Sequence, residues 1–306
     1  MTVPRQRARH AEPSVPVSGP EALPVLLERL GGPDHAVRST ALRELVALAD
    51  DHPQVRAAVV VAVCRYLRSP WRVEGAAPAA RPPRHGSARE PDVRRGALGM
   101  LTARLRDPDD VTTWCGLDLD LSGAVLVGAD FSGCWFTQGR VRFEGAWAVE
   151  GRMCFDGARF VGAGVTARHW TSGQGELSFR GARFSAGSVS LAGAVLTEGE
   201  ISAAGAVVDG GTLSFAEVRL DGATLDLSGV TVSAGTLSLA DACLVSGRVL
   251  LHDARMPGGL TTLRHVRTAA GVLHTAGTRI RPGSVDITGS REVDLTHTAR
   301  GQAPGS

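Results

Sequence analysis

At 306 residues with 43% hydrophobic content, the chain can bury a sizeable core and has room for two domains. Its 33 basic residues, all arginine, nearly cancel 31 acids, so no overall field argues for a nucleic acid or a membrane surface. The five cysteines (Cys64, Cys115, Cys134, Cys154, Cys243) are odd in number and lack C-x-x-C spacing, which argues against a disulfide framework or a zinc site and for free thiols in a reducing compartment.

Residues 1–20 carry arginines but no apolar run, so a flexible arm is expected rather than a signal peptide. Residues 21–106 show helical periodicity. Glu21 to Leu30 forms a first helix, closed by Gly31-Gly32-Pro33. Asp34 caps a second, whose stripe is Val37, Ala41, Leu42, Leu45, Val46 and Leu48. A third, Gln54 to Leu67, is apolar on most sides, which predicts the central helix of a small bundle. The Pro- and Gly-broken stretch 73–90 reads as a disordered linker, and Pro91 opens a fourth helix over Asp92 to Arg106. The expected unit is three or four short antiparallel helices, packed in the manner of a HEAT-like pair. No apolar run is long enough to span a bilayer, and a cytoplasmic protein is expected.

After Asp107-Pro108-Asp109-Asp110 the period changes. Leu119-Asp-Leu-Ser-Gly, Ala124-Val-Leu-Val-Gly, Ala129-Asp-Phe-Ser-Gly and Cys134-Trp-Phe-Thr-Gln are four units of five in unbroken register. From Gly139 to Asp294 thirteen blocks of 12 residues follow, each opening with Gly or Ala. Within a block, positions 3 and 5 are apolar, position 8 is small and position 10 is large, as in Met153, Phe155, Ala158 and Phe160. Inward spacing of two is the alternation of a strand, so each block supplies two faces. Two blocks then make one coil of 24 residues with four faces. Such a unit buries its apolar residues only by stacking on its neighbours. At about 4.8 Å per coil, the 12-residue blocks rise roughly 31 Å. Gly at position 1 is expected at a corner needing positive φ or close backbone approach. In the block at Ala163 the large position 5 shrinks to Ala167 and the small position 8 grows to Trp170, a volume swap expected inside a packed layer. Polar residues at inward positions (Thr275, Thr278, Ser290, Glu292) predict a capping coil, with a disordered tail over 296–306.

The five-residue units resemble the pentapeptide-repeat family, and the helical module joined to 12-residue variants looks like an actinobacterial subgroup of it. The resemblance implies a right-handed parallel β-helix, a quadrilateral solenoid over 115–294, with the helical module (21–106) as an N-terminal α-helical cap. It also implies one particular activity, since some members mimic duplex DNA and inhibit or protect DNA gyrase. Against that, residues from 116 onward carry 18 acids and 16 arginines, whereas a duplex mimic should be far more negative.

No catalytic, phosphate-binding or metal motif is found, and neither an enzyme nor a cofactor is expected. His252, His265 and His274 fall at different block positions and read as surface residues on different faces. The candidate interaction surface lies in outward columns. Position 9 is Arg at Arg159, Arg183, Arg219, Arg255, Arg267, Arg279 and Arg291, so with two blocks per coil Arg159 stacks on Arg183, Arg255 on Arg279 and Arg267 on Arg291. An acidic belt over 187–246, including Glu198, Glu200, Asp209, Asp221 and Asp226, separates two basic stretches. The expected function is a non-enzymatic scaffold for a protein partner, with direct nucleic-acid binding disfavoured. The alternatives are a gyrase-directed DNA mimic, and a structural solenoid that self-associates as a homodimer through its open C-terminal coil.

Overall fold

The computed structural model describes residues 19–71, 89–171 and 175–290. The expected linker (73–90), arm (1–20) and tail (296–306) lie outside these residues apart from their edges, as do Glu292 and Arg291.

Four helices precede the repeats. Pro20–Ala22 forms a single 3-10 turn that leads into α1 (Leu23–Leu30). Asp34 caps α2 (His35–Asp51), its carboxylate accepting from the backbone N–H of Ala36 and Val37. The α2 stripe buries Ala41, Leu42, Leu45, Val46 and Leu48, but Val37 on the first turn is 42% exposed and does not belong to it. A 3-10 turn at Pro53–Val55 delays the start of α3 to Arg56, so α3 spans Arg56–Arg68. Apolar character on most sides of α3 has a different cause from the one expected. The helix in touch with all three others is α2, while α3 packs between α2, α4 and the first strands of the solenoid. The last helix, α4 (Glu90–Ala103), stops three residues earlier than its periodicity suggests. The carbonyls of Arg104 and Leu105 accept instead from the backbone N–H of Trp114 and Trp135, so the solenoid takes over where the helix ends.

From Leu119 to Asp286 the chain winds as a parallel β-solenoid of about seven turns. Four ladders of short strands make its faces. Face 1 carries strands at 119–120, 140–142, 164–166, 188–190, 212–214, 236–238, 260–262 and 285–286. Face 2 runs from 125–126 to 267–268, face 3 from 152–154 to 272–274, and face 4 from 135–136 to 279–280. Every ladder is parallel with a step of 24 residues, as in Val141↔Val165, Arg219↔Cys243, Ile201↔Leu225 and Phe160↔Phe184. The first steps on faces 1 and 2 are 22, Leu119↔Val141 and Val125↔Trp147, because that coil still contains plain five-residue units. At two levels the corner between faces 4 and 1 is straightened, and Val207–Ser214 and Thr231–Ser238 run through it as single strands.

Identical register places like on like inside. Phe136, Phe160 and Phe184 stack with centroids 5.0 and 4.9 Å apart, and Phe131, Phe155 and Phe179 stack at 5.0 Å. These values equal the strand spacing, so the backbone ladder dictates the ring spacing. The columns then become aliphatic, through Val208, Val232 and Met256 in one and Leu227 and Leu251 in the other, all buried. The volume swap holds as expected: Trp170 is fully buried beside a shrunken Ala167, its indole N–H donating to the Gly175 carbonyl at 3.1 Å. At the C-terminal end the inward polar groups reach back one coil. Thr278 Oγ1 donates to the Leu251 carbonyl at 2.7 Å, Ser284 Oγ to that of Met256 at 3.0 Å, and Ser290 Oγ to that of Leu263.

The corners differ from the sequence expectation. Position 1 has positive φ in only part of the blocks, and where it does not, close approach explains the glycine: a Cβ on Gly247 would lie 2.5 Å from Leu220 Cβ. Position 7 is the left-handed corner in every block, from Gly145 to Gly289. Five blocks meet that demand without glycine, at His169, Glu217, Asp241, Asp253 and His265, with φ between 53° and 60°. These substitutions hide the strictest geometric rule of the repeat from a reader of the sequence. Glu217, which lacks the local advantage of Asp, pays the larger strain. Glu217→Gly is expected to raise stability by up to about 1 kcal/mol, read as an increased urea midpoint at constant slope. A lower midpoint would mean that the Glu217 side chain makes a contact worth more than its strain.

Candidate interaction surface

Position 9 is outward on faces 4 and 2, so its arginines form two columns. On face 4, Arg159 pairs with Arg183 across the ladder and Arg255 with Arg279, as the spacing predicts. The upper end of this column is capped by Trp135, over whose ring the Arg159 guanidinium lies at 4.5 Å. Face 2 carries Arg219 and Arg267 with Cys243 between them, and the expected partner of Arg267, Arg291, lies outside the described residues.

The acidic belt is largely engaged within the rod. Arg183 binds Asp209 and Arg219 meets Asp221 at 3.6 Å, while Glu200 receives Arg180 at 3.0 Å. Asp226, half-buried, accepts from the Ser228 backbone N–H at 3.0 Å and from Ser202 Oγ at 3.4 Å. Glu198 is exposed. Sequence reading missed the ion pairs between coils because they join residues one coil apart with an offset, 26 positions for Arg183 and Asp209 and 20 for Arg180 and Glu200, whereas Arg219 and Asp221 lie only two positions apart. Separations near the coil length were the available signal. Exposed pairs of this kind contribute roughly 0–1 kcal/mol each, so their main effect is to remove charge from the surface field.

Arg255 and Arg279 stay exposed, with Arg281 exposed on the same coil. Residues 247–290 contain six arginines against Asp253 and Asp286, and Asp286 is shared with Arg264 at 3.9 Å. The C-terminal coils are therefore the basic end of the rod. The histidines do not lie on three separate faces: the rings of His252 and His274 are 5.5 Å apart, while His265 contacts Asp241 at 3.3 Å on another corner. Among the described residues no group of three or more His, Cys, Asp or Glu is placed to hold a metal ion.

A second polar cluster, absent from the sequence reading, ties the helices to the first coil. Glu90 at the start of α4 accepts from Tyr66 Oη at 2.8 Å, from Arg94 Nε at 3.0 Å and from Arg38 Nη2 at 2.6 Å. Arg94 is fully buried and also donates to the carbonyls of Leu67 and Ser69, both at 2.7 Å, and of Val125 in the solenoid at 3.3 Å. Burial pulls its guanidinium below the ordinary value, and the attraction of Glu90 works against that. Beside the cluster lies a cavity of about 290 Å³, lined by Leu27, Leu30, Arg38, Arg65, Tyr66 and Trp71 among others. The i, i+4 spacing of Glu90 and Arg94 was the only sequence signal for it.

Two thiols are sealed in this region. Burial pushes both Cys64 and Cys134 up to about 12, which keeps them in the unreactive protonated form at neutral pH. Among the described residues no helix is long and apolar enough to cross a membrane. No protein-family model, curated protein or solved structure matches the chain.

Proposed function

We propose that the chain is a non-enzymatic scaffold of the pentapeptide-repeat type, working in the cytoplasm, whose basic C-terminal coils dock an acidic surface of a protein partner. The observation that carries this reading is the Arg255–Arg279 column, exposed on a rod whose strands keep a fixed 24-residue register. A packed solenoid presents such side chains without ordering loops on binding, and guanidiniums recognise carboxylates in bidentate fashion. The test is capture from native cell extract by the full chain and by Arg255→Glu/Arg279→Glu. A protein retained by the native chain and lost with the variant supports the reading; equal capture by both overturns it.

Duplex mimicry has weaker support, because Glu200, Asp209 and Asp221 already bind arginines of the same rod. The scaffold reading expects no inhibition of gyrase supercoiling, and inhibition by the purified chain would reverse the order of the two readings.

A further inference from the structure

The cavity beside Glu90 is walled by the faces of two helices. Ala62, Arg65, Tyr66 and Ser69 follow one another at i, i+3, i+4 and i+7 along α3 and its cap, so a single face of that helix turns towards the space. Leu27, Leu30 and Gly31 come from α1 in the same way, and Trp71 lies against the same space after the break at Ser69-Pro70. Room is left because Ala62, Gly31 and Gly32 bring almost no side chain. Gly31 has ordinary right-handed backbone with φ −81°, and a Cβ there would stand 3.5 Å from its nearest neighbour, so neither strain nor crowding calls for glycine. The volume of about 290 Å³ falls at the small end of the range for sites that take small molecules.

The charges around this space do not cancel. Arg38 and Arg65 line it, and Arg94 lies behind it, 5.5 Å from the Tyr66 ring centroid and 5.3 Å from that of Trp71. Against these three guanidiniums stands the one carboxylate of Glu90, and both of its oxygens are already engaged, one by Tyr66 and Arg94 and the other by Arg38. Arg38 Nε is buried and still has no acceptor. Neighbouring acids do not make up the difference: Glu28 on α1 is exposed and outside the lining, while Glu44 is held by Arg29 and Asp120 by Arg68. Arg65, exposed on the last turn of α3, has no acidic partner among the described residues.

We infer that this cavity binds a small organic carboxylate, with its apolar body against Leu27, Leu30 and Trp71 and its charge on Arg65. A guanidinium offers a carboxylate two parallel hydrogen bonds, and the surplus of positive charge around the space favours an anion over a neutral molecule. A bare phosphate would satisfy the charge and leave the two leucines and the indole without a partner. An uncharged aromatic would do the reverse. The inference uses none of the arginines of the C-terminal columns, so it goes beyond the partner reading and does not depend on it. An occupant would act on the joint between the modules, because Tyr66 and Glu90 belong to the network through which Arg94 reaches the Val125 carbonyl of the first coil.

Isothermal titration calorimetry of the full chain tests it, with benzoate and isovalerate as an aromatic and a branched carboxylate, and with benzyl alcohol and inorganic phosphate as body and charge alone. At least one carboxylate is expected to bind saturably at a single site, with millimolar or better affinity and about tenfold or more tighter than either control. Arg65→Gln should weaken that binding about tenfold or more and leave the circular dichroism unchanged, since Arg65 is exposed. Arg43→Gln, exposed on α2 and outside the lining, should change nothing. Ala62→Leu fills the space and should abolish binding; if this variant does not fold, Arg65→Gln decides alone. The bound carboxylate should also raise the midpoint of the helical melting transition of the native chain. Absence of saturable binding of both carboxylates at millimolar concentration overturns the inference. So does phosphate or benzyl alcohol binding as tightly as the carboxylates, or a folded Arg65→Gln variant that binds them as the native chain does.

Discussion

Glu90→Gln is expected to destabilise the folded chain by about 3–5 kcal/mol, the cost of leaving a buried charge without its partner. Two arginines share this carboxylate, Arg94 wholly buried and Arg38 mostly so. Glutamine keeps the shape and an acceptor, so the change isolates the charge. Arg94 cannot respond by losing its proton, and it cannot reach water. The loss should fall first on the helices, since Arg94 joins the end of α3 to α4 and to Val125 of the first coil. Thermal melts followed in the helical band should show an early transition, with the β signal retained. Removing both charges should cost less than the sum of the single changes, so Glu90→Gln/Arg94→Met must be sub-additive relative to Glu90→Gln and Arg94→Met. An effect of Glu90→Gln below about 1 kcal/mol, or strict additivity, would mean that the pair is not what holds Arg94 in place.

The path of the rod was legible because its rule is local and repeated. Phe155 and Phe160 predict a coil by themselves, once the same spacing recurs at Phe179 and Phe184. What could not be read belongs to relations between coils or between modules. Arg183 and Asp209 lie far apart in sequence and adjacent in space, with an offset that a strict 24-residue search would pass over. The α3 helix looked central because its apolar surface is larger than one bundle needs, and the solenoid that covers the remainder does not announce itself in the helical pattern. Position 7 escaped notice for a third reason. A corner tolerates His, Glu or Asp at a cost smaller than the packing around it, so the geometric rule is stricter than the composition that records it. The arginine columns on face 4 were legible, since stacking follows from period alone; which acids neutralise them was not.

Phe160→Ala is expected to be among the most costly single changes in the solenoid, about 3–5 kcal/mol, towards the upper end of that range. The cost of a deleted ring depends on how far its surroundings can collapse. Here Phe136 and Phe184 stand on either side of the gap, and both are held by backbone ladders, Trp135↔Arg159 and Arg159↔Arg183, that fix the strand spacing. Phe155 and Phe179 border the same space from the second column, at 6.3 and 6.2 Å. With strands unable to close up, the hole persists and its lining loses contacts on one side. A coil touches only its neighbours, so the effect should also divide the rod. Coils from Phe184 onward lose their docking on the aromatic half, and their amides should exchange faster, while those packed on the helices keep most of their protection. Phe160→Leu, which retains most of the volume, should cost clearly less and leave exchange graded smoothly along the rod. The measurement is hydrogen exchange by mass spectrometry alongside urea unfolding. A uniform rise in exchange along the chain, or a cost below about 1 kcal/mol, would show that the stacked rings do not carry the continuity of the core.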